Sequence, residues 1–237
     1  MDRHEVRQFG RVDGVLEGAD LWLVVKSQDQ IQRRERLLLT RKGGRFGRLA
    51  PRPVARGLLV SGSLRNGGVE QTRSVCFDEP RNVRVFGPGR LLLAEMDRLV
   101  LLDAEVLSPL TSIRNPYFAF LHTIDFAEGG DTILVASAGY DVVLEIDWRG
   151  ENVSNAWFAW EHGFNPDEDG VWLAPTREQA ISYQRAGKRA LYIDPTEYGR
   201  QGLFTARRTA HPNMAVYDPY DDERSEEHTS ELQSLLI

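Results

Sequence analysis

The sequence lacks three features that would place it in a particular class of protein at once. It has a single cysteine, Cys76, among 237 residues, which excludes an internal disulfide. Its apolar runs, such as DLWLVVKS and RLLLAEM, have the length of strands and fall far below the roughly 20 residues of a membrane-crossing helix. Its start, MDRHEVRQFG, holds no apolar segment of the kind that directs export. We therefore expect a cytoplasmic protein that does not enter a membrane.

A basic surface is also missing. The formal net charge is -6, and the Arg-rich run QRRER (32–36) is short and interrupted by an acid. Binding to a phosphate backbone requires a stripe of Lys and Arg, so we do not expect nucleic acid as a partner. Gly-rich phosphate loops, nucleophile elbows and zinc-ligand spacings do not occur, which leaves any cofactor unknown. Cys76 has no adjacent histidine and is interpreted as a small buried hydrophobe.

The sequence does contain a repeated phrase. The segments NVRVF (82–86), HTIDF (122–126) and NMAVY (213–217) each begin with a polar side chain and end in an aromatic one. The first two continue alike, through a Gly turn and two apolar runs, so that Asp97 corresponds to Asp141. The runs are four to six residues long and rich in Val, Ile and Leu. Runs of this length and composition, separated by Gly and Asp, indicate strands.

The spacing of the repeat indicates the architecture. Each copy closes with a fourth strand, LTSIR (110–114) or SNAWFAW (154–160), and the offset from Asn82 to His122 is 40 residues. Four antiparallel strands at this period are typical of a β-propeller blade. We predict an all-β protein, an incomplete β-propeller of four-stranded antiparallel blades. A β-sandwich is the alternative, although a sandwich would not require the repeat.

The predicted organisation is a single propeller domain over residues 1–223. The upstream segments DLWLVVKS, ERLLLTRKG, RGLLVSGS and QTRSVCF are predicted strands without the repeated phrase. In chain order we expect degenerate blades at about residues 10–80, blades at 82–114 and 122–160, an insertion at 161–209, and the start of another blade at 211–223.

The insertion contains a predicted helix and a candidate metal loop. In TREQAISYQRAG, Thr176 with Gln179 forms a capping box and Gly187 ends the segment, which predicts a short helix near residues 176–187. The run NPDEDG (165–170) has the opening spacing of a calcium loop, but its twelfth position is Thr176 instead of Glu. We interpret it as an acidic surface turn.

Candidate site residues follow from the repeat. The first strand of each propeller blade lines the central channel, so Asn82, His122 and Asn213 should lie at equivalent places around it, with His211 two residues before Asn213. Two imidazoles and two amides could hold a metal, a carboxylate or a sulfate-like anion. The alternative is that each polar group satisfies loop backbone at the start of its blade. No complete set of metal ligands is present in the sequence, and we name none.

Two further expectations concern this channel. His162, in WEHGFN, could contribute to a shared site, although a capped turn beside Gly163 explains it as well. The alternation of side chains along a strand would place Ile124 on the same face as His122, as an apolar collar below the polar residues. The same alternation would direct Thr123 and Asp125 into the interface between blades.

A family resemblance adds a possible chemistry. The segments LHTIDFAEGGDTILVASAGYDVVLEIDWRGENVSNAWFAWEHGF and TAHPNMAVYDPYDDE resemble the arylsulfotransferase-like group of bacterial, six-bladed-type β-propellers over about residues 82–223. The resemblance implies a channel histidine that accepts a sulfuryl group covalently, with further His and Arg side chains stabilising the charge. The matching positions are His122 and His211. Those enzymes are exported, whereas this sequence has neither a signal peptide nor paired cysteines.

Two classes of function are therefore open. The first is a binding module that recognises a small polar or anionic ligand at the channel mouth through Asn82, His122, His162, His211 and Asn213. The second is an enzyme with His122 or His211 as catalytic residue, either an arylsulfotransferase-like group-transfer enzyme or a metal-dependent, lyase- or lactonase-like propeller. A small-molecule ligand fits both classes, and a protein partner fits the first.

The last residues are expected to be foreign to the fold. The segment RSEEHTSELQS (224–234) matches one reading frame of an adapter used in short-read DNA sequencing. We therefore expect residues 224–237 to be a non-native tail that packs against nothing specific, and the native part to stop near Glu223 within a blade.

Overall fold

The computed structural model describes residues 18–26, 38, 56–65, 68–127, 130–150, 152–204, 207–217 and 224–227. Within these ranges the chain is mostly β-strand, in antiparallel sheets that stand side by side as the blades of an incomplete propeller. The predicted all-β class and its four-stranded antiparallel sheets are confirmed. Of the predicted strand ERLLLTRKG only Leu38 is described, and the rest of it lies outside the described residues.

The first sheet has three strands and the next two have four. The first is β1 (Asp20–Val25), β2 (Arg56–Arg65) and β3 (Gly68–Asp78). The second sheet is β4 (Asn82–Val85), β5 (Arg90–Ala94), β6 (Leu99–Asp103) and β7 (Pro109–Ile113). The third is β8 (Leu121–Phe126), β9 (Thr132–Ser137), β10 (Val142–Asp147) and β11 (Val153–Phe158). All are antiparallel meanders in chain order.

The apolar runs are continuous because each middle strand is buried on both faces. In β5, Leu91 and Leu93 pack toward the first sheet, together with Leu59 and Phe77. The alternate residues of β5 pack toward the third sheet in the main core cluster. The repeated aromatics meet in the same way, since the Phe86 and Phe126 rings lie 5.2 Å apart. Burial between two neighbouring sheets therefore explains why these strands have continuous apolar runs instead of alternating apolar and polar residues.

A β-bulge interrupts the innermost strand of the third sheet. Leu121 pairs with Ser137 and Ile124 pairs with Val135, so His122 and Thr123 lie together opposite Ala136. A bulge of this kind shifts the side-chain alternation by one residue. Ile124 consequently shares its face with Leu121, and it is buried in the main core with 1% of its surface exposed. The expected collar of Ile124 below His122 is therefore wrong.

The insertion after the third sheet has its own small elements. A 3-10 turn (Ala159–Glu161) leads to a parallel pair, β12 (Trp172–Ala174) and β13 (Ala190–Tyr192), connected by helix α1 (Arg177–Arg185). Thr176 caps α1 by accepting from the backbone N–H of Gln179 at 3.2 Å, as predicted. The Gln179 side chain donates to Tyr183 instead of returning to the cap. Helix α2 (Pro195–Tyr198) and a second 3-10 turn (Gly199–Gln201) follow.

The insertion returns to the third sheet at the turn between β9 and β10. The Tyr140 hydroxyl lies 3.1 Å from the carbonyl oxygens of both Pro195 and Gly199. The Leu203 N–H donates to the Gly139 carbonyl at 2.8 Å. Tyr140 is fully buried under this segment. The turn therefore anchors the second half of the insertion over one face of the blade.

The final strands form a separate pair. Strand β14 (Met214–Tyr217) lies beside β8 and pairs antiparallel with β15 (Arg224–Glu227). We expected residues 224–237 to make no specific contact, and the backbone pairing of β15 differs from that expectation. An open strand edge accepts whichever extended segment is next to it, because its backbone groups would otherwise be unpaired. Residues 218–223 and 228–237 lie outside the described residues.

Two sequence-based expectations have direct outcomes. Cys76 is exposed on β3, so its interpretation as a buried hydrophobe is wrong. Among the described residues, no helix is both long and apolar enough to cross a membrane.

Candidate functional site at the start of the inner strands

Strand β8, the first strand of the third sheet, lies between β4 of the second sheet and β14. Thr123 accepts a hydrogen bond from the Ala215 N–H, and Asp125 accepts one from the Tyr217 N–H, each at 3.0 Å. These contacts set β8 and β14 parallel, with Asn213 level with Leu121. On the other side, Asp125 also pairs with Arg84 of β4. Thr123 and Asp125 thus lie between blades, as predicted.

Two histidines and two arginines lie close together at the start of β8. The His122 and His211 rings are 5.3 Å apart at an interplanar angle of 75°. The guanidinium carbons of Arg81 and Arg208 lie 5.7 Å and 4.5 Å from the centre of the Phe120 ring, which precedes β8. We call the four polar residues Arg81, His122, Arg208 and His211 the mouth. Neither arginine was among the predicted site residues.

The mouth holds His122 in its neutral form. Burial, together with the positive charges of Arg81, His211, Lys26 and Arg208, lowers the pKa of His122 to about 3. The imidazole is therefore uncharged at neutral pH. A neutral ring among cationic neighbours has a lone pair to offer and an N–H to donate.

The two arginines are held by different partners. Arg81 pairs with Glu79 at 2.9 Å, and the Arg81 side chain is almost fully buried. The Arg208 guanidinium donates to the carbonyl oxygens of Leu203 at 3.0 Å and Gln201 at 3.3 Å. Arg81 is thus oriented by a carboxylate and Arg208 by backbone carbonyls.

Unusual backbone conformations concentrate around the mouth. Five non-glycine residues in the described part of the chain have positive φ, and four of them belong to this region: Glu79 at 43°, Phe120 at 50°, Asp141 at 50° and His211 at 57°. Each such conformation costs of order 1 kcal/mol or more unless its surroundings impose it. Strain of this kind is found most often at functional sites.

Asp141 connects the turn between β9 and β10 to the mouth. Its side chain is fully buried, and it accepts the His211 N–H at 2.8 Å and the Thr209 N–H on the other oxygen. Burial raises the pKa of Asp141 to about 6, against the lowering effect of the Thr209 and His211 hydrogen bonds and of Arg208. A buried carboxylate therefore fixes the backbone that carries His211.

Two buried amide atoms near the mouth lack partners. Asn82 Oδ1 and Asn213 Nδ2 are shielded from solvent and make no hydrogen bond to any described residue. An unsatisfied buried polar atom costs about 1–3 kcal/mol. The two atoms differ in kind, because Asn82 Oδ1 is an acceptor and Asn213 Nδ2 is a donor.

His162 lies away from the mouth. It follows β11, the outermost strand of the third sheet, and its ring stacks on Trp157 with centroids 4.9 Å apart. Three strand spacings separate β11 from β8, which amounts to roughly 14 Å. The structure therefore does not bring His162 together with His122. The nearby aromatics Phe158 and Trp160 are buried in the core, as blade packing requires.

The candidate metal loop is occupied by its own hydrogen bonds. Asp167 accepts the backbone N–H groups of Asp169 and Val171 at 2.9 Å and pairs with Arg207 at 3.0 Å. Asp167 is 5% exposed, so it anchors the turn from inside instead of lying on its surface. In the part of the chain that the structure describes, no group of three His, Cys, Asp or Glu side chains is placed to hold a metal ion.

Sequence reasoning missed Arg81, Arg208, Phe120 and Asp141. Arg81 directly precedes the repeated phrase, and Arg208 lies three residues before His211. Asp141 had been recognised only as the repeat equivalent of Asp97. The two arginines could have been predicted from the sequence, because each lies within three residues of a predicted site position, Asn82 or His211.

Comparisons with known proteins give only distant similarities. No protein-family profile and no curated protein matches the chain. The WD40 domain of coronin from Toxoplasma gondii is 11% identical, with a TM-score of 0.34, and the match covers 45% of this chain and 31% of that one. The Pan2 WD40 domain of Neurospora crassa is 21% identical, with a TM-score of 0.33, and the match covers 42% and 34%. The chain thus matches about a third of the length of either structure.

Proposed function

We propose that the protein is a β-propeller binding module whose mouth takes a small hydroxylated anion, such as a sugar acid or a hydroxy acid. The observation that carries the proposal is the convergence of the Arg81 and Arg208 guanidiniums with a neutral His122. Guanidinium groups match carboxylate and phosphate oxygens in both charge and geometry.

The two asparagines support the hydroxyl part of this ligand. Asn82 Oδ1 needs a donor and Asn213 Nδ2 needs an acceptor. An anion without a hydroxyl satisfies only Asn213, whereas a hydroxy acid satisfies both. Recognition of a ligand hydroxyl by otherwise unpaired buried groups gives strong discrimination against analogues that lack it.

The test is ligand-induced thermal stabilisation of the full chain. The probes are gluconate, tartrate, inorganic phosphate, phenyl sulfate and hexanoate, the last an acid without a hydroxyl. We expect gluconate or tartrate to raise the melting temperature, because a ligand at 100 times its Kd adds about 2.7 kcal/mol of stability. The His122→Ala and Arg208→Ala variants should lose this stabilisation.

His162→Ala is the matched control, since His162 is an exposed histidine about 14 Å from the inner strand. It should retain the full ligand response. Stabilisation that persists in His122→Ala would place the ligand elsewhere. The absence of stabilisation by every probe would remove the binding proposal altogether.

A group-transfer reaction at His122 is the second candidate. It is favoured by the neutral imidazole, whose lone pair is available for attack at neutral pH. In that reaction His122 would displace an alcohol or phenol from an ester of a sulfuryl or phosphoryl group, with Arg208 close to the transferred oxygens. Incubation with 4-nitrophenyl sulfate or phosphate should then release nitrophenol and leave a labelled His122 that mass spectrometry detects. Unlabelled protein and no nitrophenol would reject this candidate.

A further inference from the structure

The inner geometry of the mouth depends on a residue that does not itself belong to it. His211 has a left-handed backbone conformation, with φ at 57°, and that conformation alone would be unfavourable for a histidine. Its N–H donates to the carboxylate of Asp141, 70 positions earlier in the chain, at 2.8 Å. The neighbouring Thr209 N–H is held by the other oxygen of the same carboxylate.

We infer that Asp141 is a positioning residue for the ligand site, holding the His211 ring against His122 so that both imidazoles face the same anion. The inference rests on the proposed function of the mouth. Asp141 acts through the backbone of Thr209 and His211 and does not touch the ligand. Asp141 is fully buried, and each of its two carboxylate oxygens accepts one of these backbone N–H groups.

Asp97 supplies the contrast within the same chain. It occupies the equivalent position in the second sheet, but its carboxylate pairs with the exposed side chains of Arg200 and Arg114, at 3.3 Å and 3.4 Å. The carboxylate of Asp97 therefore holds side chains, whereas that of Asp141 holds the backbone carrying His211. Replacement of Asp97 changes the same chemical group at the same place in a blade and leaves the hydrogen bonds of Asp141 to Thr209 and His211 in place.

The variant is Asp141→Asn, which keeps the size of the side chain but replaces one acceptor oxygen by an NH₂ group that repels an N–H. The first readout is the nuclear Overhauser cross-peak between the His122 and His211 rings, measured without ligand and below the melting temperatures of all variants. We expect the cross-peak in the wild type and in Asp97→Asn, and its loss in Asp141→Asn. The second readout is gluconate affinity, which should fall at least tenfold in Asp141→Asn only.

The titration of Asp141 gives a test that needs no variant. Arg208, within the insertion, and His211, directly after it, are charged or titratable residues next to the carboxylate. As pH falls through about 6, Asp141 takes up a proton and its hold on the two N–H groups weakens. The Thr209 amide resonance and the ring cross-peak should therefore change together in the wild type. This measurement replaces the first one if Asp141→Asn does not fold.

The outcomes separate this inference from the proposed function. A retained ring cross-peak and unchanged gluconate affinity in folded Asp141→Asn would overturn the positioning role, even if His122→Ala abolishes binding. Loss of the cross-peak in a protein that binds no probe would reject the proposed ligand and keep the role of Asp141 in placing His211. A Thr209 resonance that titrates while the cross-peak stays constant would also overturn the inference.

Discussion

Asp97 and Asp141 occupy the same position in successive sheets, and both bind residues that follow helix α2. Asp97 pairs with the Arg200 side chain at 3.3 Å. Asp141 accepts the backbone N–H of His211 at 2.8 Å. The two equivalent aspartates thus bind this part of the chain differently, Asp97 through the Arg200 side chain and Asp141 through the backbone of His211.

The two aspartates should differ in their effect on stability. Asp141→Ala leaves the buried N–H groups of Thr209 and His211 without an acceptor, which costs about 1–3 kcal/mol for each group. Asp97→Ala removes ion pairs with exposed arginines, which are worth about 0–1 kcal/mol. Urea unfolding of the two variants measures the difference. Equal losses would show that Asp141 contributes no more to the stability of the fold than Asp97 does.

His122 should make the protein less stable in acid. Its pKa in the folded protein is about 3 and its ordinary value is 6.5, so its contribution to stability is complete above about pH 6.5 and is lost as pH falls toward 3. Asp141 has the opposite sign, because its folded pKa of about 6 exceeds 3.8 and its contribution is lost as pH rises from 3.8 to 6. Thermal unfolding of His122→Gln from about pH 4 to pH 7 should show a flatter acid limb than the wild type. An unchanged slope would mean that His122 is not buried in its neutral form.

The Tyr140 hydroxyl should contribute to the docking of the insertion. Tyr140→Phe removes the hydroxyl that lies 3.1 Å from the Pro195 and Gly199 carbonyl oxygens, and the loss of such a hydrogen bond costs about 1 kcal/mol. The same change at Tyr198, on the neighbouring helix α2, is the matched control. Limited proteolysis within residues 195–204 should accelerate in Tyr140→Phe only. Equal protection of both variants would contradict the assignment.

Gly202 should tolerate no side chain. A Cβ at this position would lie 2.4 Å from the Gly139 carbonyl oxygen, whereas a Cβ at Gly187 would meet nothing within 4 Å. Both glycines have positive φ, at 61° and 77°, and the ψ of -158° at Gly202 belongs to a region that is essentially restricted to glycine, so alanine is also more strained there. Gly202→Ala should therefore lose more stability than Gly187→Ala, measured as the difference in melting temperature. Matching losses would indicate that the insertion does not pack on the turn.

Local patterns in the sequence were sufficient for most of the fold. The short runs of Val, Ile and Leu predicted the strands of the second and third sheets, and Thr176 predicted the start of α1. These features succeed because strand alternation, turn chemistry and helix capping depend on neighbours only a few residues away. That Asn82 and His122 lie on the same face of the channel stays a prediction from the repeat.

The tertiary structure decided two kinds of feature at the site: the β-bulge in β8, and the contacts between residues that lie far apart in the sequence. The bulge at His122 and Thr123 leaves no pattern in the sequence, yet it separates His122 from the face of Ile124. The partners of Asp141 lie about 70 positions away, and Asp97 has the same local sequence setting with different partners. The charge state of His122 is set by burial and by cations from three separate segments, and desolvation exists only once those segments have packed together. The sequence thus determined the strands and the positions of His122 and His211 relative to them, and packing determined which partners and which charge state these side chains have.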